Sequence, residues 1–148
     1  MQKVSENLQK NILAADAVGF SKLVSENEYE TLASLKDCLN IFAKLISKNG
    51  GRIFHSAGDS VLAEFVDSKN ALKAARSIQS EICEQQKSTK LQKLEFRIGI
   101  DFGEVFADGE NLLGEAVNFA VRLESFAQPN GISLSKRFYQ NLGMSELL

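Results

Sequence analysis

The pattern of apolar and polar positions predicts alternating strands and helices. An apolar run over residues 11–16 is typical of a buried strand, and a turn at residues 18–20 follows it. Ser25 and Glu28 form a capping-box pattern that predicts the start of a helix, and the Asn-Gly-Gly of residues 49–51 predicts its end. Its apolar stripe at helical spacing consists of Leu32, Leu35, Leu39, Phe42 and Ile46.

Two strands and a second helix are predicted next. Residues 52–57 and 60–65 have strand composition and flank Gly58-Asp59, a tight hairpin signal. Asp67 or Ser68 would cap the following helix. The apolar face of that helix consists of Ala71, Ala75, Ile78 and Ile82.

The last third of the chain predicts more strands and a third helix. Apolar and polar residues alternate over 96–102, as in a half-buried strand, and Gly103 predicts a turn into a partner strand at 104–107. A helix is expected over 114–127, and a short strand over 132–134 precedes a final short helix.

This element order predicts an α+β fold with a ferredoxin-like βαββαβ core and C-terminal additions. In that topology the first strand lies beside the third, so the end of the first strand approaches the hairpin tip. Asp16 and Asp59 occupy those two places. The 148 residues suffice for one buried core, and we expect a single domain over 1–148.

Charge and composition exclude several classes of partner. Seventeen Lys and Arg against nineteen Asp and Glu leave a net charge of -2, which offers no long-range attraction for nucleic acid or acidic membranes. The polar N-terminus lacks a signal-peptide core, and no apolar run approaches the roughly 20 residues that span a bilayer. We therefore expect a cytoplasmic protein whose isolated Cys38 and Cys83 are free thiols.

Two sets of polar residues are candidates for chemistry. Carboxylates converging from two strand ends, Asp16 and Asp59, would suit Mg²⁺ or Mn²⁺ and hence phosphoryl-group chemistry. A joint site requires the carboxylates to lie within roughly 5 Å of each other, with neither in a salt bridge to a core Lys or Arg. Both aspartates are equally ordinary as turn residues. Asn118 and Arg122 share one face of the third helix, and they either face a cleft or are ordinary surface residues.

Four ordered segments resemble the motifs of class III adenylate/guanylate (nucleotidyl) cyclase catalytic domains. ILAADAVGFSKL resembles the first metal-binding motif and HSAGDSVLAEF the second. FRIGIDFGEVFADGENLLGEAVNFAVRLE resembles the third, with its Asn-x-x-x-Arg pair, and PNGISLS resembles the strand that follows. The resemblance runs from about residue 11 to residue 140 with family-like spacing, and it implies the nucleotide cyclase fold.

The resemblance also implies a role for each motif residue. Asp16 and Asp59, assisted by the carbonyl of Ala17, would hold two divalent ions. Asn118 would orient the ribose, and Arg122 would stabilise charge on the α-phosphoryl group as the ribose 3′-hydroxyl displaces pyrophosphate.

The turn at residues 18–21 would bind the β- and γ-phosphates through backbone N–H groups, among them those of Gly19, Phe20 and Ser21. A hairpin with a triphosphate-binding Lys follows this point in the family. We therefore expect either a fragment of a longer protein or a member without that cation.

The two base-reading positions depart from the family pattern. Adenylate cyclases usually have Lys and Asp there, and guanylate cyclases have Glu and Cys, whereas this chain has His55 and Asn111. Both side chains can hydrogen-bond a base edge without specifying one base, although His55 could equally be a strand residue satisfied by a neighbour.

We therefore expect a nucleotidyl cyclase acting on a nucleoside triphosphate, with ATP as the expected substrate. The alternatives are a pseudo-cyclase that dimerises or binds nucleotide in a regulatory role, and a cyclase with another base preference.

We also expect a head-to-tail homodimer with shared sites. His55 and Asp59 stand four positions apart on one hairpin, roughly 13 Å if extended, so a second surface is needed to close a pocket over metal and base. The resemblance implies that Asp16 and Asp59 come from one chain, whereas the partner would supply the base-reading, ribose and phosphoryl residues His55, Asn111, Asn118 and Arg122.

Overall fold

The computed structural model describes residues 7–146, with side chains up to residue 143. Six strands and five helices follow one another in this range. Their bounds are β1 (Asn7–Ala17), α1 (Phe20–Glu26), α2 (Glu28–Lys48), β2 (Arg52–Ala57), β3 (Ser60–Phe65), α3 (Ser68–Gln86), β4 (Phe96–Asp108), β5 (Asn111–Leu113), α4 (Glu115–Phe126), β6 (Ile132–Leu134) and α5 (Lys136–Glu146).

The sheet confirms the predicted ferredoxin-like core. Its strand order is β2-β3-β1-β4-β5, and β6 pairs in parallel with β4. The central strand β1 pairs antiparallel with β3 on one side and with β4 on the other. The first and third strands are therefore neighbours, as the element order predicted. Although β2 and β5 lie at opposite ends of this order, they contact each other.

Helices cover both faces of the sheet. α2, α3 and α5 pack on one face around a large apolar cluster, in which the rings of Phe42 and Phe96 lie 5.1 Å apart and are tilted by 59°. α4 packs on the other face against Ile12 and Ala14 of β1. It lies so close that a side chain on Gly99 of β4 would approach the backbone N of Glu124 to 2.4 Å.

Local signals predicted many element bounds correctly. Strands β2, β3 and β6 have the predicted bounds, and Asp67 caps α3 by accepting a hydrogen bond from the Lys69 N–H. α4 begins after Gly114 and ends at Phe126, within the predicted range.

The Ser25–Glu28 capping box was wrong. Ser25 lies inside α1, where its hydroxyl donates to the Lys22 carbonyl instead of capping a new helix. The cap of α2 is Asn27, whose side chain accepts from the Glu30 N–H. The predicted apolar stripe of α2 also begins too early, since Leu32 is 45% exposed whereas Leu35 is buried.

The turn predicted at Gly103 was also wrong. β4 continues to Asp108 because β1 starts at Asn7 and pairs with its second half. The turn lies instead at Gly109, whose φ is 64°, and leads into β5. The missing side chain of Gly103 makes room for Arg137, whose guanidinium carbon would lie 2.8 Å from a Cβ there.

Both cysteines are free thiols, as predicted, with Cys38 buried and Cys83 exposed. Burial raises the pKa of the Cys38 thiol to about 11, so it is protonated at neutral pH. None of the helices in the described part of the chain combines the length and hydrophobicity that a bilayer crossing requires.

Candidate functional site

The structure brings the end of β1 and the β2–β3 turn together, as the topology predicted. Asp59 lies in that turn, and its Oδ2 accepts a hydrogen bond of 2.9 Å from the backbone N–H of Ala17. Asp16 immediately precedes Ala17 and, by strand alternation, lies on the α4 side of the sheet with Ala14. The two aspartates therefore lie at the same end of the sheet, where β1 ends and the β2–β3 turn meets it.

Two charged residues beside Asp16 were not singled out by the sequence. Arg97 is the cross-strand neighbour of Asp16 on β4, and its Nη2 lies 3.5 Å from Asp16 Oδ1. The same nitrogen lies 3.7 Å from Oε2 of Glu124, an almost fully buried residue of α4 that faces the sheet. The expectation that neither aspartate would pair with a core cation was therefore wrong for Asp16.

Glu124 adds a third carboxyl to this region. Burial, followed by the hydrogen bond and negative charge of Asp16, raises the pKa of the Glu124 carboxyl to about 8, and Asp59 adds to the effect. The guanidinium of Arg97 opposes the rise. At neutral pH Glu124 therefore carries a proton towards Asp16, which limits the repulsion between carboxylates in the metal-free state.

The donor set of Asp16 and Asp59 fits a divalent cation. Both side chains provide hard carboxylate oxygens, and the Asp16 side chain is 29% exposed, so its oxygens remain accessible. Within the described residues, no group of three or more His, Cys, Asp or Glu side chains could hold a metal ion. An ion here would depend on the two aspartates, a backbone carbonyl and oxygens from substrate or water, which is how Mg²⁺ is usually bound.

The turn after β1 is only partly free to bind phosphate. Val18 donates its backbone N–H to the Glu95 carbonyl at 2.8 Å, so this group is not available to a ligand, contrary to the prediction for the whole turn. Gly19 has a left-handed conformation with φ 60° and is the N-cap residue of α1. No side chain caps this helix. The N–H groups of Phe20 and Ser21, in the first turn of this helix, therefore remain candidates.

Asn118 and Arg122 both lie exposed on α4, where their four-residue spacing places them on one face of the helix. The Arg122 guanidinium lies 5.7 Å from the centroid of the Phe119 ring. Residues two positions apart are separated by a rotation of about 200° around the helix axis, so their side chains point to nearly opposite sides. Arg122 therefore faces away from the sheet, whereas Glu124 faces Asp16. The structure thus does not bring Arg122 to Asp16 within one chain.

His55 and Asn111 are exposed on two elements that meet only through the tertiary structure. His55 lies on β2 just after a register shift that begins at Ile53, and Asn111 is the first residue of β5. The strands β2 and β5 contact each other, and Phe54 of β2 and Leu112 of β5 belong to one apolar cluster against α4. This packing brings the two strands that carry His55 and Asn111 together.

Comparison with known proteins places these motifs in a family. The model of the adenylate and guanylate cyclase catalytic domain matches residues 4–147. The chain is 32% identical over 134 residues to the putative adenylate cyclase 3 of Rhizobium meliloti (strain 1021), covering 87% of this chain and 22% of that protein. It is 30% identical over 129 residues to an adenylate cyclase of Streptomyces coelicolor, with 86% and 32% covered. The chain thus spans about a fifth to a third of the curated relatives it matches.

Solved structures agree with this result. An adenylate/guanylate cyclase/hydrolase from Silicibacter pomeroyi superposes with a TM-score of 0.85 at 31% identity, covering 95% of this chain and 83% of that one. The guanylyl cyclase Cya2 superposes with a TM-score of 0.84 at 25% identity, with 95% and 81% covered.

Proposed function

This chain belongs to the adenylate and guanylate cyclase catalytic domain family, and from that premise we propose that it converts a nucleoside triphosphate into a 3′,5′-cyclic nucleotide and pyrophosphate. ATP is the proposed substrate because both curated relatives are named adenylate cyclases. The observation that carries the proposal is the hydrogen bond from Ala17 to Asp59, because it joins the two metal-binding motifs at one edge of the sheet.

Asp16 and Asp59, with the carbonyl of Ala17, would hold two Mg²⁺ or Mn²⁺ ions. Bound divalent ions would lower the pKa of the ribose 3′-hydroxyl and neutralise phosphate charge. The contact between Arg97 and Asp16 orients that carboxylate, and at 3.5 Å it is too long to be a strong hydrogen bond. Arg97 also places a cation where the substrate's phosphates would arrive.

Asn118 and Arg122 would act on the reacting part of the nucleotide. Asn118 can hydrogen-bond the ribose and hold its 3′-oxygen in line with the α-phosphorus. As the bond to the 3′-oxygen forms and the bond to pyrophosphate breaks, negative charge grows on the α-phosphoryl oxygens. The Arg122 guanidinium would stabilise that charge. The N–H groups of Gly19, Phe20 and Ser21 would bind the β- and γ-phosphates.

The separation of these residues supports a shared site in a head-to-tail homodimer. Asp16 lies under α4 beside Glu124, whereas Arg122 faces away from the sheet on the same helix. One chain would supply Asp16 and Asp59, and its partner would supply the other four polar residues, namely His55, Asn111, Asn118 and Arg122. A two-fold axis would repeat this arrangement and create two equivalent sites.

The direct test is to incubate the purified chain with each of ATP, GTP, CTP and UTP in the presence of Mn²⁺ and to identify products by mass spectrometry. We expect 3′,5′-cyclic AMP to form fastest and Asp59→Asn to abolish it. A faster reaction with another nucleotide would refute the proposed base. Nucleotide binding without any cyclic product would indicate a pseudo-cyclase instead.

A further inference from the structure

A cavity between α4 and the start of α5 lies next to Arg122 but away from the two aspartates. Its volume is about 650 Å³. The residues that line it are Glu115, Phe119, Arg122, Ser135, Lys136, Arg137 and Gln140. We refer to it as the α4–α5 groove. Three of its residues are cations, Arg122, Lys136 and Arg137, and one, Glu115, is an anion.

One of these cations is fully occupied by protein carboxylates. Arg137 forms two hydrogen bonds to Asp101, from Nη2 at 2.5 Å and from Nε at 2.8 Å, and Asp101 is completely buried. Its Nη1 also donates to Glu115 at 2.6 Å. Arg137 therefore connects the start of α5 to Asp101 of β4 and to Glu115 of α4. Because these three hydrogen bonds use Nε, Nη1 and Nη2, Arg137 has little capacity left for a ligand.

The other two cations are available. Within the described residues, neither Arg122 nor Lys136 forms an ion pair. The guanidinium groups of Arg122 and Arg137 both lie over the Phe119 ring, at 5.7 Å and 5.8 Å from its centroid. Lys136 is the first residue of α5, next to Arg137. Because Arg137 is anchored, the backbone position of Lys136 is fixed, whereas the Lys136 side chain itself is flexible.

We propose that the α4–α5 groove is a phosphate subsite in which Lys136, together with the N–H groups of residues 19–21 of the other chain, binds the β- and γ-phosphates of the substrate, and afterwards pyrophosphate, beside Arg122. The inference rests on the proposed function, because it assigns pyrophosphate, the leaving group of that reaction, to the α4–α5 groove. Arg122 acts on the α-phosphoryl group, so a cation that lines the same cavity is placed to meet the adjoining phosphates. Lys136 is thereby a substrate-binding residue of the same chain that supplies Arg122.

Steady-state kinetics with Mn²⁺ and ATP test the role of Lys136 in the reaction. A lost charge-assisted hydrogen bond predicts that Lys136→Ala raises KM about ten-fold and weakens inhibition by pyrophosphate by a similar factor. kcat should change much less, because Lys136 does not contact the reacting bond. Lys136→Arg should restore both values. The matched control is Lys73→Ala, which removes an exposed lysine of α3 that does not line the groove.

Calorimetric titration of inorganic pyrophosphate into the metal-free chain separates this proposal from the proposed function, since it needs no turnover. We expect Lys136→Ala to lose most of the binding, while Asp59→Ala and Lys73→Ala keep it. The subsite is refuted if the parent chain does not bind pyrophosphate, or if Lys136→Ala binds it equally well. It is also refuted if Lys73→Ala loses as much pyrophosphate binding, because the loss would then reflect the removal of any positive charge and not a specific site. Lost pyrophosphate binding with an unchanged KM would exclude the role towards substrate.

Discussion

At the scale of single residues, the surroundings of Asp16 are set by Arg97 and Glu124. Arg97 contributes a positive charge and Glu124 a buried carboxyl that is protonated at neutral pH. Both groups lie next to the proposed metal site, and the raised pKa belongs to Glu124. The arrangement also makes the stability of the metal-free chain depend on pH.

We predict that the free energy of unfolding of the metal-free chain falls as pH rises from about 4.5 to about 8. In this window Glu124 is protonated in the folded chain and ionised in the unfolded chain, so unfolding releases a proton. One proton contributes a slope of at most about 1.4 kcal/mol per pH unit. Urea titrations in the presence of EDTA should show that Glu124→Gln removes this slope, whereas Glu84→Gln, at an exposed position on α3, keeps it. An unchanged slope in Glu124→Gln would contradict the assignment.

A second prediction at this scale concerns base preference. Replacing His55 with Lys and Asn111 with Asp restores the residues usual in adenylate cyclases, so the ratio of kcat/KM for ATP over GTP should rise. A site built on hydrogen bonds to a base discriminates strongly against a base that leaves them unpaired, by up to about 10⁴-fold. Both residues are exposed, so thermal unfolding should barely change. If the ratio stays constant, these two residues do not contact the base.

At the scale of elements, α4 carries most of the proposed catalytic groups, and its position depends on Gly99. A Cβ at this position would lie 2.4 Å from the Glu124 N and 2.5 Å from the Ala120 carbonyl oxygen. Both atoms belong to the helix backbone, which cannot move aside as a side chain could. The helix therefore rests directly on β4, and this contact sets the height of Asn118 and Arg122 above the sheet.

We predict that Gly99→Ala destabilises the chain by about 1–3 kcal/mol, as overpacking in a core does, and lowers kcat because α4 is displaced. Gly143→Ala is the matched control, since a Cβ there meets nothing within 4 Å in α5 and the change should stabilise the helix by about 0.5–1 kcal/mol. Denaturant unfolding and cyclase assays of both variants provide the measurement. A Gly99→Ala chain as stable as its parent would show that α4 can shift freely.

At the scale of the whole molecule, the proposed shared site predicts that activity depends on two copies of the chain. An Asp59→Ala chain lacks a metal ligand, and an Arg122→Ala chain lacks the phosphoryl-binding cation, so each should be nearly inactive alone. In a heterodimer, one site combines the intact Asp59 of one copy with the intact Arg122 of the other. An equal mixture with random pairing should therefore recover about a quarter of the parent activity.

The controls for this experiment are the two variants alone at the same total concentration, and native mass spectrometry to count heterodimers. If heterodimers form and activity does not recover, the two residues act within one chain and the shared site is wrong. Full activity in either variant alone would remove that residue from the mechanism.

The sequence by itself determined the order of elements, many of their bounds and the identity of the family. These features depend on short-range signals, such as the Gly58-Asp59 turn and the Asp67 cap, whose effects extend over a few residues. It also placed Asp16 and Asp59 at one edge, because the topology of a split βαβ unit makes the first and third strands neighbours.

Only the tertiary structure decided which groups surround these residues. β4 runs straight through Gly103 because a distant strand, the beginning of β1, pairs with it. Arg97 lies 81 positions from Asp16 in the chain and reaches it through strand pairing. Arg137 likewise meets Asp101 across 36 positions. Such contacts depend on strand register and helix packing, which join distant segments and leave no local pattern, so they could be found only in the folded chain.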